Sequence, residues 1–456
     1  MNFKPPTFFE KANHWIKNSI TIRLLTIGIM ILLLLIPINM VEDLIRERMY
    51  RQQEAVQEIS SIWADAQTIQ GLVLTIPYHV YTKVYDDTSN PDKFRLVKST
   101  EYAHFLPETL QIEGKISPEV RYRSIYEVVV YNSKLSLKGK ISPPDFAQWG
   151  IDSANVIWRD AHICLGLSDL RGIQEDIQLQ WNRQTFNFNP GVPSTDVIQS
   201  GISTKVPLRL TGNLKEFNFE LILDLNGSSG LHFTPLGKET LVDVQSGWKD
   251  PSFTGAFLPD QRDINPSGFS AHWKVLHLNR PYPQSFRKSV SGIPSSQFGV
   301  NLLMPVDEYQ KSTRSVKYGI MFITLTFMIF FFVQILKRIR IHPIQYIIVG
   351  LAICVFYTLL IALSEHISFQ YSYLVSSIAI ITMITAYSQT VLRSTKLTRL
   401  MALILLILYT FMYVIIQMQD YSLLIGSIGL FTVLAIVMYL SRKIDWYKWN
   451  ENNHKA

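Results

Sequence analysis

Leu24-Leu25-Thr26-Ile27-Gly28-Ile29-Met30-Ile31-Leu32-Leu33-Leu34-Leu35-Ile36-Pro37-Ile38-Asn39-Met40-Val41 runs for 18 residues without an aspartate, glutamate, lysine or arginine. About 20 apolar residues of α-helix cross the hydrocarbon core of a bilayer, so this stretch reads as a membrane span. Five further uncharged stretches follow at residues 318–336, 344–364, 367–392, 400–419 and 421–441. The composition agrees: of 456 residues 48% are hydrophobic and only 17% charged, against about 25% in an ordinary soluble domain. A soluble single-domain protein is excluded. So is a disulfide-built scaffold, because the two cysteines, Cys164 and Cys354, fall in different regions and the second lies inside a span.

Outward from the spans, the charge pattern sets an orientation. Lys4, Lys11, Lys17 and Arg23 precede the first span, and Lys337, Arg338 and Arg340 join the second to the third. Arg393, Lys396 and Arg399 join the fourth to the fifth, and Arg442, Lys443, Lys448 and Lys455 follow the sixth. These 14 basic residues face only three acids, Glu10, Asp445 and Glu451. The turns after the third and fifth spans carry Glu365 and Asp420 and no lysine or arginine. Lysine and arginine are retained on the cytoplasmic side. Both termini are therefore expected in the cytoplasm (tails 1–23 and 442–456) and the insertion 42–317 outside it. With 29 basic and 31 acidic residues, that insertion is nearly neutral, so the net charge of +7 belongs to membrane topology and does not point to nucleic acid. The first span lacks a small-x-small cleavage site and reads as an uncleaved anchor, residues 24–41.

Leu44, Ile45, Met49, Val56, Ile59, Ile62 and Trp63 recur at helical spacing between charged residues, which extends the first span as an amphipathic helix. Beyond Gly71 and Pro77 the period changes to two. In the clearest segment, 216–226, Phe217, Phe219, Leu221, Leu223 and Leu225 alternate with Asn218, Glu220 and Asp224. Asn226-Gly227-Ser228-Ser229-Gly230 then offers turn chemistry and a hairpin into Leu231-His232-Phe233. Other strands are expected at 72–84, 93–105, 125–141, 155–167, 206–210, 241–246, 268–278 and 298–304. Leu110-Gln111-Ile112-Glu113-Gly114-Lys115-Ile116-Ser117-Pro118 is echoed by Leu135-Ser136-Leu137-Lys138-Gly139-Lys140-Ile141-Ser142-Pro143, which reads as two similar strand ends. The fold class is an α+β membrane protein. One N-terminal and five C-terminal transmembrane helices (the bundle, 318–441) carry a large antiparallel all-β extracytoplasmic domain, a sandwich or strongly curved sheet.

Few motifs carry chemistry. The phosphate-cradling, dinucleotide, zinc-protease and nucleophile-elbow patterns are all absent. His272 and His277 are five apart on one expected strand, hence on opposite faces, and cannot easily share a metal. No cofactor, metal or catalytic residue is expected. The spans hold no acid or base at depth, which speaks against ion-coupled transport, and Gln334, Gln345, Thr382, Thr385, Gln389 and Gln417 read as interhelical hydrogen-bonding residues. Glu365 and His366, adjacent in a short turn, could shuttle a proton or bind a cation or headgroup, or could simply stop two helices. Arg314 and Lys317 stand just outside the second span on the side the charge rule disfavours. They read as packing or headgroup contacts, or as a joint between domain and bundle. Tyr309, Tyr318, Trp446, Tyr447 and Trp449 read as interfacial anchors.

The chain resembles the CreD family of bacterial inner-membrane proteins along nearly its whole length. The resemblance rests on Gly71-Leu72-Val73-Leu74-Thr75-Ile76-Pro77, Arg123-Ser124-Ile125-Tyr126-Glu127-Val128, Phe253-Thr254-Gly255-Ala256-Phe257-Leu258-Pro259 and Ser267-Gly268-Phe269-Ser270-Ala271-His272-Trp273. It continues through Pro305-Val306-Asp307-Glu308-Tyr309, Arg314-Ser315-Val316-Lys317-Tyr318-Gly319, His342-Pro343-Ile344-Gln345-Tyr346, Leu363-Ser364-Glu365-His366 and Arg442-Lys443-Ile444-Asp445-Trp446-Tyr447. The resemblance implies an inner-membrane protein with a periplasmic domain, produced under envelope stress such as β-lactam challenge and associated with colicin tolerance. It implies no catalytic residues.

Three functions compete on these grounds. A non-enzymatic envelope-integrity factor would bind lipid, cell-wall material or an envelope protein through its β domain. A transporter or channel would act through the helices. A hydrolase at the membrane surface would use Glu365 and His366.

Overall fold

The computed structural model describes residues 20–85, 94–208, 216–304, 308–337, 339, 341–418 and 421–442. The chain divides into two compact units, Gln53–Pro305 and the remainder. Seven helices are described: α1 Ile20–Trp63, α2 Glu308–Lys317, α3 Gly319–Leu336, α4 Pro343–Ser364, α5 Phe369–Leu392, α6 Thr395–Gln417 and α7 Ser422–Ser441. Six of them, all except α2, are long and apolar enough to cross a membrane. Beyond its apolar half α1 is held by local ion pairs, Glu42 with Arg46 (2.7 Å) and Glu47 with Arg51 (2.5 Å), at the i,i+4 spacing that helices favour.

In the helical unit, α1 approaches α4 closely because Gly350 has no side chain. A Cβ there would lie 2.1 Å from Cδ1 of the buried Leu34. Small residues allow this closeness where no hydrophobic force drives helices together. Phe322, Phe356, Tyr357 and Tyr409 stack edge-to-face at the centre.

The strands, in chain order, are β1 Gln67–Tyr85, β2 Phe94–Phe105, β3 Thr109–Arg123, β4 Tyr126–Ile141, β5 His162–Leu167, β6 Gln178–Trp181, β7 Gln184–Asn187, β8 Asn189–Pro190 and β9 Gly201–Lys205. They continue as β10 Phe217–Ser228, β11 Gly230–Thr234, β12 Glu239–Ser246, β13 Pro251–Gly255, β14 Gln261–Asn265, β15 Gly268–Leu276, β16 Ser285–Phe286 and β17 Phe298–Leu302. A nine-stranded sheet runs β13-β17-β11-β1-β5-β9-β8, with β2 and β16 paired along the outer part of β1. An eight-stranded sheet runs β14-β15-β12-β3-β4-β10-β6-β7. All pairings are antiparallel except β1 with β11 and β12 with β3.

One apolar core lies between the sheets. Leu72, Leu74 and Ile76 of β1 belong to the same cluster as Leu110, Leu137 and Leu223 of the other sheet. The opposite face of β1 is also covered, with Val73 in a second cluster beside Cys164, Ile198 and Phe286. This double burial explains why Gly71-Leu72-Val73-Leu74 does not alternate. A register shift between Gln70 and Val73 in the pairing with β5 moves the core-facing set from Ile69 to Leu72.

The echoed segment acquires a physical meaning here. β3 and β4 pair antiparallel with Leu110 opposite Gly139, Ile112 opposite Leu137 and Gly114 opposite Leu135. A repeated Leu-x-Ile/Leu-x-Gly pattern turned back on itself places a leucine over each glycine, so the two similar strand ends, the start of β3 and the end of β4, are paired neighbours. The two glycines differ in what surrounds them. A Cβ at Gly139 would lie 2.0 Å from the Thr109 carbonyl oxygen, whereas one at Gly114 would meet the movable tip of Leu135. Gly139→Ala is expected to destabilise the domain by about 1–3 kcal/mol, and Gly114→Ala by under about 1 kcal/mol. Denaturant unfolding of the two variants checks the order.

Several strand expectations are corrected. The 226–230 turn does not close a hairpin. β10 ends at Ser228 in one sheet and β11 starts at Gly230 in the other, with Ser229 at φ 62° carrying the chain across. Residues 155–161 are not strand but contain a 3₁₀ turn, Trp158–Asp160, following another capped by the Asp152 carboxylate on Ala154 N–H (2.9 Å). Of the strand expected at 206–210, Val206, Pro207 and Leu208 are not strand, since Pro207 removes a ladder donor, and residues 209–210 lie outside the described residues; the preceding segment Gly201–Lys205 is strand. His277 falls in a 3₁₀ turn after β15 and does not share its strand with His272. α1 stops at Trp63, and Gly71 and Pro77 lie well inside β1.

Candidate functional site

The candidate site is built in the helical unit around Glu365, the residue that follows α4. Its N–H bonds back to the Ile361 and Leu363 carbonyls, so it caps the helix C-terminus. A carboxylate there meets the negative end of the helix dipole, an unfavourable placement. Two partners offset it. Tyr309 Oη donates to Glu365 Oε1 at 3.3 Å, and Arg48 Nε lies 3.4 Å from the same oxygen. The Glu365 side chain is only 11% exposed, so these contacts stand largely out of water.

Each partner arrives by a local rule. Tyr309 belongs to α2, a short amphipathic helix whose buried residues Tyr309, Ser312, Ser315 and Val316 fall on one face. That face packs against α4 and α6. Arg48 lies in the charged part of α1. The arginines around it have acids one helical turn away, but residues three and four positions from Arg48 are Leu44, Ile45, Arg51 and Gln52. An arginine without a local acid needs a tertiary one. That missing local acid is the signal in the sequence that marks Arg48.

Of the expected site residues, the structure draws in Glu365 and leaves the others apart. His366 is exposed, and no hydrogen bond joins its ring to Glu365 among the described residues. Arg314 is half-buried and Lys317 exposed, and neither forms an ion pair among the described residues. Tyr309 is buried at 7% exposure and bonded to Glu365, so it is not an interfacial anchor. Trp446, Tyr447 and Trp449 lie outside the described residues, as do Pro305, Val306 and Asp307. Three segments of chain thus converge on one carboxylate, an arrangement that can pin helices together. Among the described residues, no imidazole is hydrogen-bonded to that carboxylate.

A second polar network lies in the β domain and had no sequence signal. Thr75 Oγ1 donates to His104 Nδ1 (3.0 Å), His104 Nε2 donates to Asp196 (3.3 Å), and Ser194 donates to the same carboxylate (2.7 Å). The tautomer follows from the carboxylate's inability to donate. The order hydroxyl–imidazole–carboxylate resembles a nucleophile relay, but its hydroxyl end is the buried one. Thr75 is 3% and His104 1% exposed, while the Asp196 side chain is 37% exposed.

Burial pushes the His104 imidazole below its ordinary value of 6.5, with Asp196 opposing in part. His232 and His162 shift the same way, again chiefly through burial. Below pH 6.5 the unfolded chain therefore takes up protons that the folded chain refuses, and stability falls as pH drops. Unfolding midpoints are expected to be flat above pH 7 and to decline from pH 6.5 toward 5. His104→Gln should reduce that slope.

Asp169 is shifted in the same direction, but because its charged form is favoured. Arg171 and the Asp65 N–H hold its carboxyl down to about 2. Together with Gln67 and Arg171, it fastens the last turn of α1 and the residues after it to the β domain. Among the described residues, no three histidine, cysteine or acidic side chains are placed to hold a metal ion.

Comparison with known proteins gives a consistent pattern. The family model described as "Inner membrane protein CreD" matches residues 19–447. Inner membrane protein CreD of Escherichia coli (strain K12) is 32% identical over 433 residues, covering 93% of either chain.

Proposed function

The chain belongs to the CreD family of inner membrane proteins, and from that premise we propose that it is a non-enzymatic factor supporting envelope integrity under stress. Its β domain faces the periplasm, its termini face the cytoplasm, and it acts by contacting lipid, cell-wall material or an envelope protein. The charge asymmetry of the connections supports this orientation.

The observation that carries the contact role is an arm. From His79 to Tyr85, β1 pairs with β2 alone, in register from His79 opposite Thr100 to Tyr85 opposite Phe94. Tyr81 (51%), Phe94 (42%) and Leu96 (59%) are exposed there. Two-stranded ribbons are marginal in water, and these apolar side chains gain by being covered.

A photo-crosslinking residue placed at Leu96 in stressed cells tests the proposal. A discrete adduct at Leu96, absent when the probe is at Ile222 on the charged face of the other sheet, is expected. Equal background at both positions would count against it.

A second reading, a conduit through the helices, has one observation in its favour. The hydroxyls of Thr326, Tyr357 and Tyr409 are buried without partners among the described residues. Solute flux in proteoliposomes carrying the full chain would support the conduit, and its absence supports the contact role.

A further inference from the structure

A cleft of about 840 Å³ opens in the β domain where the Thr75–His104–Asp196 chain reaches the surface. It lies between the start of β1, the end of β5, the loop before β9 and the loop between β16 and β17. Both loops are pinned by buried residues. Val197 and Ile198 of the first and Ile293 of the second belong to one apolar cluster, and Ser296 Oγ of the second is 2.9 Å from the Tyr282 hydroxyl. The polar residues that the loops leave exposed in the cleft, such as Thr195, Gln199 and Ser200 on one and Ser291 and Ser295 on the other, are neutral. Asp196 is the one ionisable residue of the lining among the described residues.

The chain of hydrogen bonds fixes that carboxylate. Asp196 Oδ2 accepts from His104 Nε2 (3.3 Å) and from Ser194 Oγ (2.7 Å), while Oδ1 has no donor among the described residues. His104 is 1% exposed and is itself held by Thr75. A fully buried imidazole is therefore committed to orienting a carboxylate at the surface. Burying a polar ring costs free energy unless its nitrogens are bonded, and a merely solvated aspartate needs no such support. Shells of this kind hold groups that touch a ligand. The buried hydroxyl end cannot reach one, and the carboxylate end can.

The rest of the lining states what the ligand is. A wall without lysine or arginine offers no counter-charge to an anion. Hydroxyls and carboxamides around one carboxylate both donate and accept, as a ligand with many hydroxyls requires. A ligand hydroxyl donating to the ionised Oδ1 would make the strongest single bond available there. Leu167, Val197 and Pro294 supply apolar contact for the C–H faces of a pyranose ring. The volume falls within the roughly 300–1,000 Å³ of small-molecule sites.

We infer that this cleft binds a neutral saccharide chain through Asp196. The inference rests on the contact role proposed above, of which it names cell-wall material as the partner class, at a site other than the β1–β2 arm.

Calorimetric titration of the full chain in nanodiscs with chitotetraose, cellotetraose or spermidine tests it. At least one tetrasaccharide is expected to bind, and spermidine is not. Asp196→Asn keeps an oxygen for His104 and Ser194 but presents an amide donor in place of Oδ1. It should weaken saccharide binding about tenfold, and Gln199→Ala, at an exposed position, about threefold. If Asp196→Asn does not elute as folded protein, Gln199→Ala decides on the same readout. Failure of both tetrasaccharides to bind, or unchanged binding in the folded variants, would overturn the inference. Spermidine binding that Asp196→Asn abolishes would make this a cation site and overturn it equally. The titration is independent of the arm, so a loss here with a discrete Leu96 adduct in cells removes the saccharide site and leaves the contact role standing.

Discussion

Glu365→Ala is expected to release α2 from the helical unit. The substitution removes the acceptor shared by Tyr309 and Arg48 and leaves both donors in a largely dehydrated place. Breaking a buried charge pair typically costs about 3–5 kcal/mol. The Arg48 side chain is 34% exposed and can recover some hydration, so the expected loss is nearer 2–3 kcal/mol. Hydrogen exchange in nanodiscs reads this locally. Amides of Glu308–Lys317 should lose protection by roughly 30-fold or more, since each 1.4 kcal/mol is a factor of about ten. Glu365→Gln keeps an oxygen for Tyr309 and should recover about half of the loss. His366→Ala, at an exposed position, should change nothing measurable. Equal effects of the two alanine substitutions would restore Glu365 and His366 as a functional pair.

Trp273→Ala is expected to produce the largest loss in the β domain. Trp273 is fully buried, with the rings of Phe253 and Phe298 each 5.7 Å away, edge-on and tilted respectively. Truncating such a residue costs about 3–5 kcal/mol through lost transfer energy and the cavity left behind. Its indole N–H has no partner among the described residues, so Trp273→Phe breaks no hydrogen bond described there. The phenylalanine variant should therefore lose well under half as much. Urea midpoints for the two variants check this, and a phenylalanine variant as damaged as alanine would mean that a polar partner of the indole had been missed.

Much of the architecture was legible because it rests on local periodicity. Uninterrupted apolar length marks the spans, and alternation at 217–225 marks β10. The helical recurrence from Leu44 to Trp63 extends α1 to where the structure ends it. The rest was not legible because it depends on distant partners. Asn226–Gly230 has the composition of a hairpin turn, but composition cannot tell a return into the same sheet from a crossing into the other. The covering of both faces of β1 hides its period. Glu365 stood out as a lone acid, yet its neighbour His366 drew attention that belonged to Arg48, over 300 positions away. The Thr75–His104–Asp196 chain likewise joins three strand and loop segments with no shared motif.

The central claim is that the β domain lies outside the cytoplasm and the basic connections within it. Labelling of single introduced cysteines tests it most directly. Cys164 is 2% exposed and its thiol is pushed up to about 12 by burial, so it stays unreactive, and Cys354 is 5% exposed. The native cysteines can therefore remain while Ile222→Cys and Lys337→Cys, both at exposed positions, are treated in spheroplasts with a membrane-impermeant maleimide. Ile222→Cys should label in intact spheroplasts and Lys337→Cys only after the membrane is opened. Labelling of Lys337→Cys in intact spheroplasts, with Ile222→Cys protected, would contradict the account.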